Sequence, residues 1–393
     1  MTRVSFFGVW SQGVLNMSLL KVGLLAVSLL ATVGNAQADS WQFNTFSVHL
    51  LQVSDPQAQG EPSLETVMDW LAQMTQAMRQ TDYAGTYVHV RGDQVDTTRL
   101  LHRFTPKGEQ EQLETLNGDP HSVVRHGDSC ECQWPLRKEV VFGDFPSVRS
   151  RLSGERFAHP AELTANYQIV SLGSSRVAGF SCHLVGLVPR DGLRYGYKLC
   201  VADQSHLLLR MSMYNEQGLP IEHDFFTAIE PRTASATASD SPEWPEIPLG
   251  SPQSIPPGFN VVEQPPSMPP KPLAADEGWV VSPDLPGYTI QSRVWRQNPV
   301  THHPFEHMVV SDGLSTASVF IEKMPEPKAL DPEAAKYGMN IAVRQVGPVR
   351  LTVIGDLPMA AVEQICQNTV LIKNSATERA EQNPLHMPNT EAR

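Results

Sequence analysis

The stretch IEHDFFTAI, residues 221–229, alternates between two sets of side chains. A period of two residues is typical of a strand in an antiparallel sheet that buries one face and exposes the other. The pattern therefore predicts a half-exposed antiparallel strand. One set is Ile221, His223, Phe225, Thr227 and Ile229, and the other is Glu222, Asp224, Phe226 and Ala228.

The same β texture extends back from this strand to residue 83. Short runs rich in Val, Tyr, Thr and Phe lie between turn signals such as Arg91-Gly92-Asp93. Before them, Ser63 is the expected N-cap of one long helix with apolar residues at spacings of three and four. About ten strands after one helix favour a strongly curved sheet wrapped around helical material. Besides 221–229, the predicted strands are Tyr83 to Arg91, Arg99 to Phe104, Gln112 to Leu116, Val123 to His126, Val140 to Phe142, Tyr167 to Leu172, Phe180 to Val188, Tyr195 to Ala202 and Leu207 to Tyr214.

A proline-rich region divides the chain into two domains. About a dozen prolines lie between Pro231 and Pro272, and proline removes backbone donors and favours extended polyproline geometry. The predicted organisation is a signal peptide over 1–38, a first domain over 39–230, a linker over 231–275, a small antiparallel α+β domain over 276–372 and a flexible tail over 373–393. The second domain is expected to contain a closing helix from Pro358 to about Asn368 and strands at Tyr288 to Trp295, His307 to Val310, Thr316 to Lys323, Asn340 to Val346 and Val349 to Ile354.

The N-terminus predicts export. Lys21 precedes an apolar run from Val22 to Val33, and Ala36-Gln37-Ala38 has the small-x-small pattern of a signal-peptide cleavage site. The alternative, an uncleaved membrane anchor, is disfavoured because such a run does not span about 30 Å of hydrocarbon. Met17 is an alternative start. A formal net charge of -12 and the lack of clustered Lys and Arg exclude a nucleic-acid surface.

The segment HHPFEH, residues 302–307, contains the spacing of an inverted zinc-peptidase motif in His303, Glu306 and His307. Such ligands normally lie on one helix, but Pro304 interrupts this motif and a strand-like run follows it. We therefore expect no catalytic zinc. The sequence also lacks a Gly-x-Ser-x-Gly elbow, a Walker loop, a Gly-x-Gly-x-x-Gly turn and a Cys-x-x-Cys pair. It predicts a protein that is not an enzyme and holds no cofactor.

Five cysteines in an exported chain are candidates for disulfides. A hairpin centred near Asp191 would place Cys182 opposite Cys200, which predicts a cross-strand bridge between them. Cys366 is expected to be a buried free thiol on a helical face. The pairing of Cys130 and Cys132 is left open.

The most distinctive candidate for partner binding is the stretch PRDGLRYGY, residues 189–197. It combines a turn with two Arg and two Tyr, which are favoured where a surface buries a partner. The alternative is a hairpin whose tyrosines pack on the sheet and whose charges pair locally. The candidate partner-binding residues are Arg190, Asp191, Arg194, Tyr195 and Tyr197.

Several of these motifs, in this order, resemble the RseB or MucB family of periplasmic regulators of an envelope-stress sigma factor. The resemblance extends over nearly the whole chain after the signal peptide. This chain differs in Cys130, Cys132, Cys182 and Cys200 and in its long linker. The motifs are Tyr83-x-Gly85-Thr86-Tyr87-Val88, Leu101-His102-Arg103-Phe104, Leu116-Asn117-Gly118, Arg176-Val177-Ala178-Gly179, the 189–197 stretch, Phe226-Thr227, Ser311-Asp312-Gly313-Leu314, Ser318-Val319-Phe320-Ile321 and Val353-Ile354-Gly355-Asp356-Leu357-Pro358.

The resemblance implies a fold and a function. The fold would be α+β: a large N-terminal open antiparallel β half-barrel with plugging helices, similar to the lipoprotein carriers LolA and LolB, plus a small C-terminal antiparallel α+β domain. Such proteins bind the periplasmic part of a membrane anti-sigma factor, protect it from site-one proteolysis, and are thought to respond to mislocalised lipopolysaccharide or lipoprotein. A periplasmic lipid or lipoprotein carrier without an anti-sigma partner is the alternative, and a homodimer is left open.

Overall fold

The computed structural model describes residues 62–144, 151–232, 247–255, 257–263, 271–272, 278–281, 285–297, 304–323 and 339–372. The predicted signal peptide and C-terminal tail lie outside these residues. Among the described residues, no helix is both long and apolar enough to cross a bilayer. All three β-sheets described below fall within one compact unit, Asn44–Arg393.

Twelve strands form the larger sheet, in the order β12-β6-β5-β4-β3-β2-β1-β11-β10-β9-β8-β7. This sheet, with helices α1 (Leu64–Gln80) and α2 (Pro160–Leu163), is called the first lobe. Every neighbouring pair is antiparallel except β12 with β6. The strands are β1 (Tyr83–Arg91), β2 (Gln94–Thr105), β3 (Gly108–Thr115), β4 (Ser122–His126), β5 (Ser129–Trp134), β6 (Glu139–Asp144), β7 (Tyr167–Val177), β8 (Phe180–Pro189), β9 (Gly196–Ala202), β10 (Leu208–Tyr214), β11 (Pro220–Pro231) and β12 (Asn260–Glu263).

The first-lobe sheet is open and curled. Three strands separate β7 from β11 in the sheet, and in a flat sheet they would be about 19 Å apart. Residues of these two strands nevertheless come within 8 Å of each other, so the sheet must bend. Helix α1 contacts β2, β7 and β9. The predicted curved sheet around helical material is therefore confirmed.

Helix α1 packs one apolar stripe into this sheet, and its start is set by Ser63. The Ser63 hydroxyl accepts a hydrogen bond from the Thr66 backbone N–H at 3.2 Å, which satisfies one of the free donors at the helix start. The buried residues of the helix recur at the predicted spacings of three and four. They are Val67, Leu71, Met74 and Met78.

Replacing Ser63 by alanine is expected to lower the free energy of unfolding by about 1 kcal/mol, because the Thr66 N–H loses its side-chain acceptor. Urea unfolding followed by circular dichroism measures this change. Ser63→Asp, which keeps an acceptor at the N-cap, is the matched control and should stay close to wild type. An equal loss in both variants would contradict the capping role.

Strand β11 contains the stretch 221–229, and its alternation is confirmed from Ile221 to Phe226; an irregularity at Thr227 then shifts the phase, so that Ala228 is exposed and Ile229 is buried. The inward set of side chains includes Glu222, Asp224 and Phe226, while His223 and Phe225 are only half-buried. Two carboxylates on the buried face were not expected from hydropathy. They can be buried because cationic and imidazole side chains of β1 lie beside them, as described below.

Six strands form the smaller sheet, in the order β13-β15-β16-β17-β19-β18. This sheet, the pair β14 with β20, and helix α3 are called the second lobe. Helix α3 (Met359–Asn368) buries Ala361, Val362, Ile365 and Cys366 and contacts β18 and β19. The strands are β13 (Lys271–Pro272), β14 (Gly278–Val281), β15 (Thr289–Gln297), β16 (Pro304–Ser311), β17 (Thr316–Lys323), β18 (Asn340–Val346), β19 (Val349–Gly355) and β20 (Thr369–Ile372).

The segment predicted as a linker, 231–275, takes part in both sheets. Its strand β12 pairs with β6, and its strand β13 pairs with β15. Ile247 is buried, its carbonyl lies 2.6 Å from His126 Nε2, and the Gly250 N–H donates to Glu131 Oε2 at 2.6 Å. The segment is therefore more than a spacer. Proline has no backbone N–H to donate, but the residues between the prolines keep theirs and can still pair with a sheet edge.

Candidate functional site

Two hairpin loops dock into each other where the lobes meet, and this region is called the lobe junction. The first-lobe loop connects β8 to β9 at residues 190–195, and the second-lobe loop connects β16 to β17 at residues 312–315. Leu314 inserts into the hydrophobic core of the first lobe, and Leu193 packs against the core of the second. The Tyr288 hydroxyl donates to the Leu193 carbonyl at 2.8 Å. Each lobe therefore completes the other's packing.

Arg194 lies at the centre of the lobe junction with its side chain fully buried. Its Nε donates to Asp312 Oδ2 at 2.8 Å, its Nη2 donates to the Pro286 carbonyl at 2.5 Å, and its Nη1 pairs with Asp191. The guanidinium carbon also lies 4.7 Å from the centroid of the Tyr288 ring. Groups from both lobes thus replace the water that this cation would otherwise bind.

Asp312 is the buried anion that matches Arg194. Its Oδ2 also accepts from the Tyr167 hydroxyl at 3.2 Å, and its Oδ1 accepts the backbone N–H groups of Leu314 and Ser315 at 3.0 and 2.8 Å. A buried ion pair is tolerated only when such additional hydrogen bonds satisfy its remaining atoms. The pair therefore depends on the correct placement of both loops.

Two tyrosines of strand β9 and its loop extend the junction. The Tyr195 hydroxyl donates to the Leu357 carbonyl at 3.1 Å, and the Tyr197 hydroxyl lies 3.3 Å from Ser315 Oγ. Burial raises the pKa of Tyr195 to about 12 and raises the pKa of Tyr197 as well. Both phenols therefore stay protonated hydrogen-bond donors at physiological pH.

The structure divides the five predicted partner-binding residues into two groups. Arg190 is exposed and Asp191 is half-buried, whereas Arg194, Tyr195 and Tyr197 are buried in the lobe junction. In this conformation only Arg190 and Asp191 present a surface that a partner could touch. Direct contact with a partner stays a prediction for all five.

The Cys182–Cys200 disulfide lies behind the junction hairpin and ties β8 to β9. The register pairs Cys182 with Ala202 and Leu184 with Cys200, so the bridge crosses the two strands diagonally and does not join directly opposite residues. Both cysteines are fully buried. The bridge therefore stiffens the two strands that carry the first-lobe loop.

A buried polar cluster on strands β1 and β11 was not found by sequence reasoning. His89 Nδ1 lies 2.9 Å from Asp224 Oδ1, and Arg91 Nη1 donates to Glu222 Oε2 at 2.6 Å. Arg91 Nη2 donates to Asp356 Oδ1 of the second lobe at 3.0 Å, which makes a second contact between the lobes. Burial raises the pKa of Glu222, and the charges of Asp224 and Asp356 raise it further.

The sequence indicates this cluster only when it is known which strands pair with each other. Glu222 and Asp224 alternate with apolar residues, which by itself indicates a solvated face. The β1–β11 register places His89 directly opposite Asp224, and this long-range pairing brings the partners together.

The HHPFEH segment has no helix in its described part. Glu306 and His307 are consecutive residues of strand β16, so their side chains point to opposite faces of the sheet. Glu306 pairs with Arg293 at 2.5 Å, and the His307 ring stacks on Phe320 with centroids 4.7 Å apart. The expected absence of a zinc-peptidase helix is confirmed for these residues, and His303 lies outside the described residues.

The remaining three cysteines, Cys130, Cys132 and Cys366, are buried thiols outside any disulfide. This confirms the expectation for Cys366. Cys130 and Cys132 lie on β5, a strand that sequence reasoning missed because its buried residues do not alternate with exposed ones. Burial raises the pKa of the Cys132 thiol to about 12, with a further contribution from Cys130, so this thiol is unreactive at physiological pH.

Comparison with known proteins matches both lobes to one family. The model of the MucB/RseB N-terminal domain matches residues 66–245, and that of the MucB/RseB C-terminal domain matches residues 273–370. The sigma factor AlgU regulatory protein MucB of Pseudomonas aeruginosa is 28% identical over 305 residues, which cover 76% of this chain and 88% of MucB. The sigma-E factor regulatory protein RseB of Escherichia coli K12 is 22% identical over 312 residues, with the same coverage, 76% and 88%.

Solved structures show the same fold. The structure described as the Pseudomonas aeruginosa MucA/MucB complex aligns with a TM-score of 0.55 and 24% identity, covering 79% of this chain and 100% of that chain. A crystal structure of MucB in complex with MucA(peri) aligns with a TM-score of 0.53 and 24% identity, covering 78% and 100%. The matched relatives are regulatory proteins.

Proposed function

Because this chain belongs to the MucB/RseB family, we propose that it is a negative regulator of an envelope-stress sigma factor, acting through the periplasmic part of a membrane anti-sigma factor. By binding that segment, it would protect the anti-sigma factor from site-one proteolysis. The observation that carries this proposal is the match of both lobes, in order, to the two family models. The solved MucB–MucA complex supports the choice of partner.

We propose the periplasm as its location, with residues 1–38 as the cleaved signal peptide. The apolar run and the small-x-small site of the sequence support export. The Cys182–Cys200 disulfide is consistent with it, because structural disulfides persist in oxidising compartments.

The lobe junction suggests how binding would depend on the arrangement of the lobes. Arg194, Tyr195 and Tyr197 would act on the partner indirectly, because their contacts fix one lobe against the other. Arg190 and Asp191, on the outer side of the same loop, would contact the partner directly. Binding of a peptide segment docked beside the junction would then change with the arrangement of the lobes.

The signal that releases the partner is proposed to be mislocalised lipopolysaccharide or lipoprotein. Helix α1 places Leu71 and Met74 against the inner face of the curled sheet, so an acyl chain that enters there must displace the helix. Such a lipid releases the partner only if it binds the free conformation more tightly than the partner-bound one, because a ligand with equal affinity for both shifts nothing.

A lipid or lipoprotein carrier is the second candidate, because a curled open sheet around a helix could accept an acyl chain. A simple carrier has no need of the second lobe, which here is joined to the first by the buried Arg194–Asp312 pair, the partly buried Arg91–Asp356 pair and hydrogen bonds. Both candidates are binding proteins, and neither requires catalysis.

The test is cleavage of a purified anti-sigma periplasmic segment by its site-one protease, with and without mature protein spanning residues 39–393. We expect the protein to slow cleavage and added lipopolysaccharide or lipoprotein fragments to restore it. Lipid binding with neither partner binding nor protection would favour the carrier instead. Sedimentation of the same samples would reveal a homodimer.

The exposed loop residue provides a more specific test. Arg190→Ala is expected to weaken binding of the anti-sigma segment by about fivefold or more, because it removes a charge-assisted contact without disturbing the buried Arg194. The matched control is Arg99→Ala, which removes an exposed arginine on β2 that pairs with Glu114. Equal affinity of both variants would leave Arg190 with no role in recognition.

A further inference from the structure

Three potential metal ligands meet on the inner face of the first-lobe sheet. They are His89 on β1 and Glu222 and Asp224 on β11, and their side chains are 4%, 6% and 1% exposed. One ligand atom from each lies within 4.8 Å of the others, a grouping found nowhere else among the described residues. The β1–β11 register, with His89 opposite Asp224, holds the three residues on the same face of neighbouring strands.

One oxygen of this cluster has no hydrogen-bond partner. Asp224 Oδ1 faces His89, but Asp224 Oδ2 accepts no hydrogen bond although its side chain is almost completely buried. A buried polar atom without a partner costs free energy, and in a native structure such an atom commonly marks a bound ion or water. Asp224 therefore has one buried oxygen without a partner, Oδ2, beside the oxygen that faces His89.

The distances within the cluster suit a small divalent ion. His89 Nδ1 lies 2.9 Å from Asp224 Oδ1 and 3.9 Å from Glu222 Oε1. Ligand atoms about 2.0 to 2.2 Å from a tetrahedral zinc ion are about 3.3 to 3.6 Å from one another, which falls between these two values. Small side-chain rotations would therefore be enough to place all three atoms around one ion.

We propose that His89, Glu222 and Asp224 form a binding site for a divalent transition-metal ion, with zinc as the best-fitting ion. One imidazole nitrogen and two carboxylates are borderline ligands that suit zinc, whereas calcium and magnesium favour oxygen ligands and higher coordination numbers. Three protein ligands leave one position for water or a further ligand. The imidazole would bind through Nδ1 and carry its proton on Nε2.

The neighbouring cations leave this site accessible. Arg91 holds Glu222 Oε2, so Glu222 Oε1 remains on the side of His89. Arg151 Nη1 lies 3.8 Å from Glu222 Oε1, but its side chain is 49% exposed and can turn into solvent when an ion enters. The two carboxylates then balance the charge of the ion.

The position of the site connects it to the lobe contact. Arg91 donates both to Glu222 and to Asp356 of the second lobe. An ion held by Glu222 would therefore fix the position of one of the two carboxylates that Arg91 binds. Metal binding is therefore expected to stabilise the arrangement of the lobes, independently of the regulatory function proposed above.

The experiment titrates zinc into mature protein, residues 39–393, after dialysis against a chelator, with a chromophoric chelator as competitor. We expect one tight site per chain. Asp224→Asn and His89→Gln, which keep side-chain volume, should each weaken zinc binding by at least about 100-fold, because even residues behind the ligands contribute 10- to 100-fold. The control is His302→Ala/His303→Ala, which removes two imidazoles of the HHPFEH segment and should leave the tight site intact.

Cobalt provides a second readout, whose first result comes from the wild-type protein alone. Co²⁺ bound to wild-type protein should show the intense visible bands of a four- or five-coordinate site, and Asp224→Asn should lose them while its circular dichroism stays native. Weak octahedral bands in the wild type would overturn the proposal even if the variants fail to fold. Zinc binding that disappears in His302→Ala/His303→Ala and persists in Asp224→Asn would mean adventitious surface zinc only.

Discussion

Asp312→Ala is expected to lower the free energy of unfolding by about 3–5 kcal/mol. The substitution leaves the guanidinium of Arg194 buried without its anion, and breaking a buried ion pair on one side typically has this cost. It also removes the acceptor for the Tyr167 hydroxyl and for the Leu314 and Ser315 N–H groups. Because these groups come from both lobes, the lobe junction should loosen before either lobe unfolds.

Urea unfolding at neutral pH, followed by circular dichroism and tryptophan fluorescence, measures this effect. Glu114→Ala, which breaks the exposed pair with Arg99, is the control and should change stability by about 1 kcal/mol or less. Combining Asp312→Ala with Arg194→Met removes the unpaired charge and should recover part of the loss. A cost below about 1 kcal/mol for Asp312→Ala alone would mean that this pair does not hold the lobes together.

The double variant Cys182→Ala/Cys200→Ala is expected to be about 3 kcal/mol less stable than wild type. The bridge closes a loop with a sequence separation of 18 residues, and the chain-entropy relation assigns about 3 kcal/mol to a loop of this length. Since β8 and β9 carry the junction loop, the variant should also loosen the contacts of Arg194.

The measurement is urea unfolding of both proteins with and without dithiothreitol. Reductant should destabilise the wild type and leave the double variant unchanged, because the other cysteines, Cys130, Cys132 and Cys366, are already thiols. A further loss in the reduced double variant would show that a second bridge contributes. An unchanged wild type under reducing conditions would contradict the stabilising role of this disulfide.

Local patterns predicted most of the secondary structure. The Ser63 cap, the spacing of helix α1, and strands such as β1, β8 and β17 follow from periodicity and turn residues, which act over a few neighbouring positions. Strand β5 was missed because the consecutive residues Cys130, Glu131 and Cys132 are all buried, without alternation. Strand β12 was missed because composition does not report whether a proline-rich segment meets a sheet edge.

The candidate sites required more than local patterns. The stretch 189–197 was recognised as unusual, but the sequence could not show that Arg194, Tyr195 and Tyr197 would be buried between the lobes. Whether an arginine points to solvent or to a buried aspartate depends on which loop lies opposite it. Arg194 and Asp312 are 118 residues apart in the chain.

The sequence by itself determined the strand and helix pattern, the two-lobe order, the cysteine pair and the resemblance to a family, because these depend on side-chain periodicity and short motifs. Only the tertiary structure decided which polar residues became partners. His89 and Asp224 are 135 residues apart, and Arg91 and Asp356 are 265 apart. Such pairs form only after sheet register and lobe docking bring the residues together and exclude water. The electrostatic interaction between the two partners is stronger there, because the dielectric constant is lower than in water.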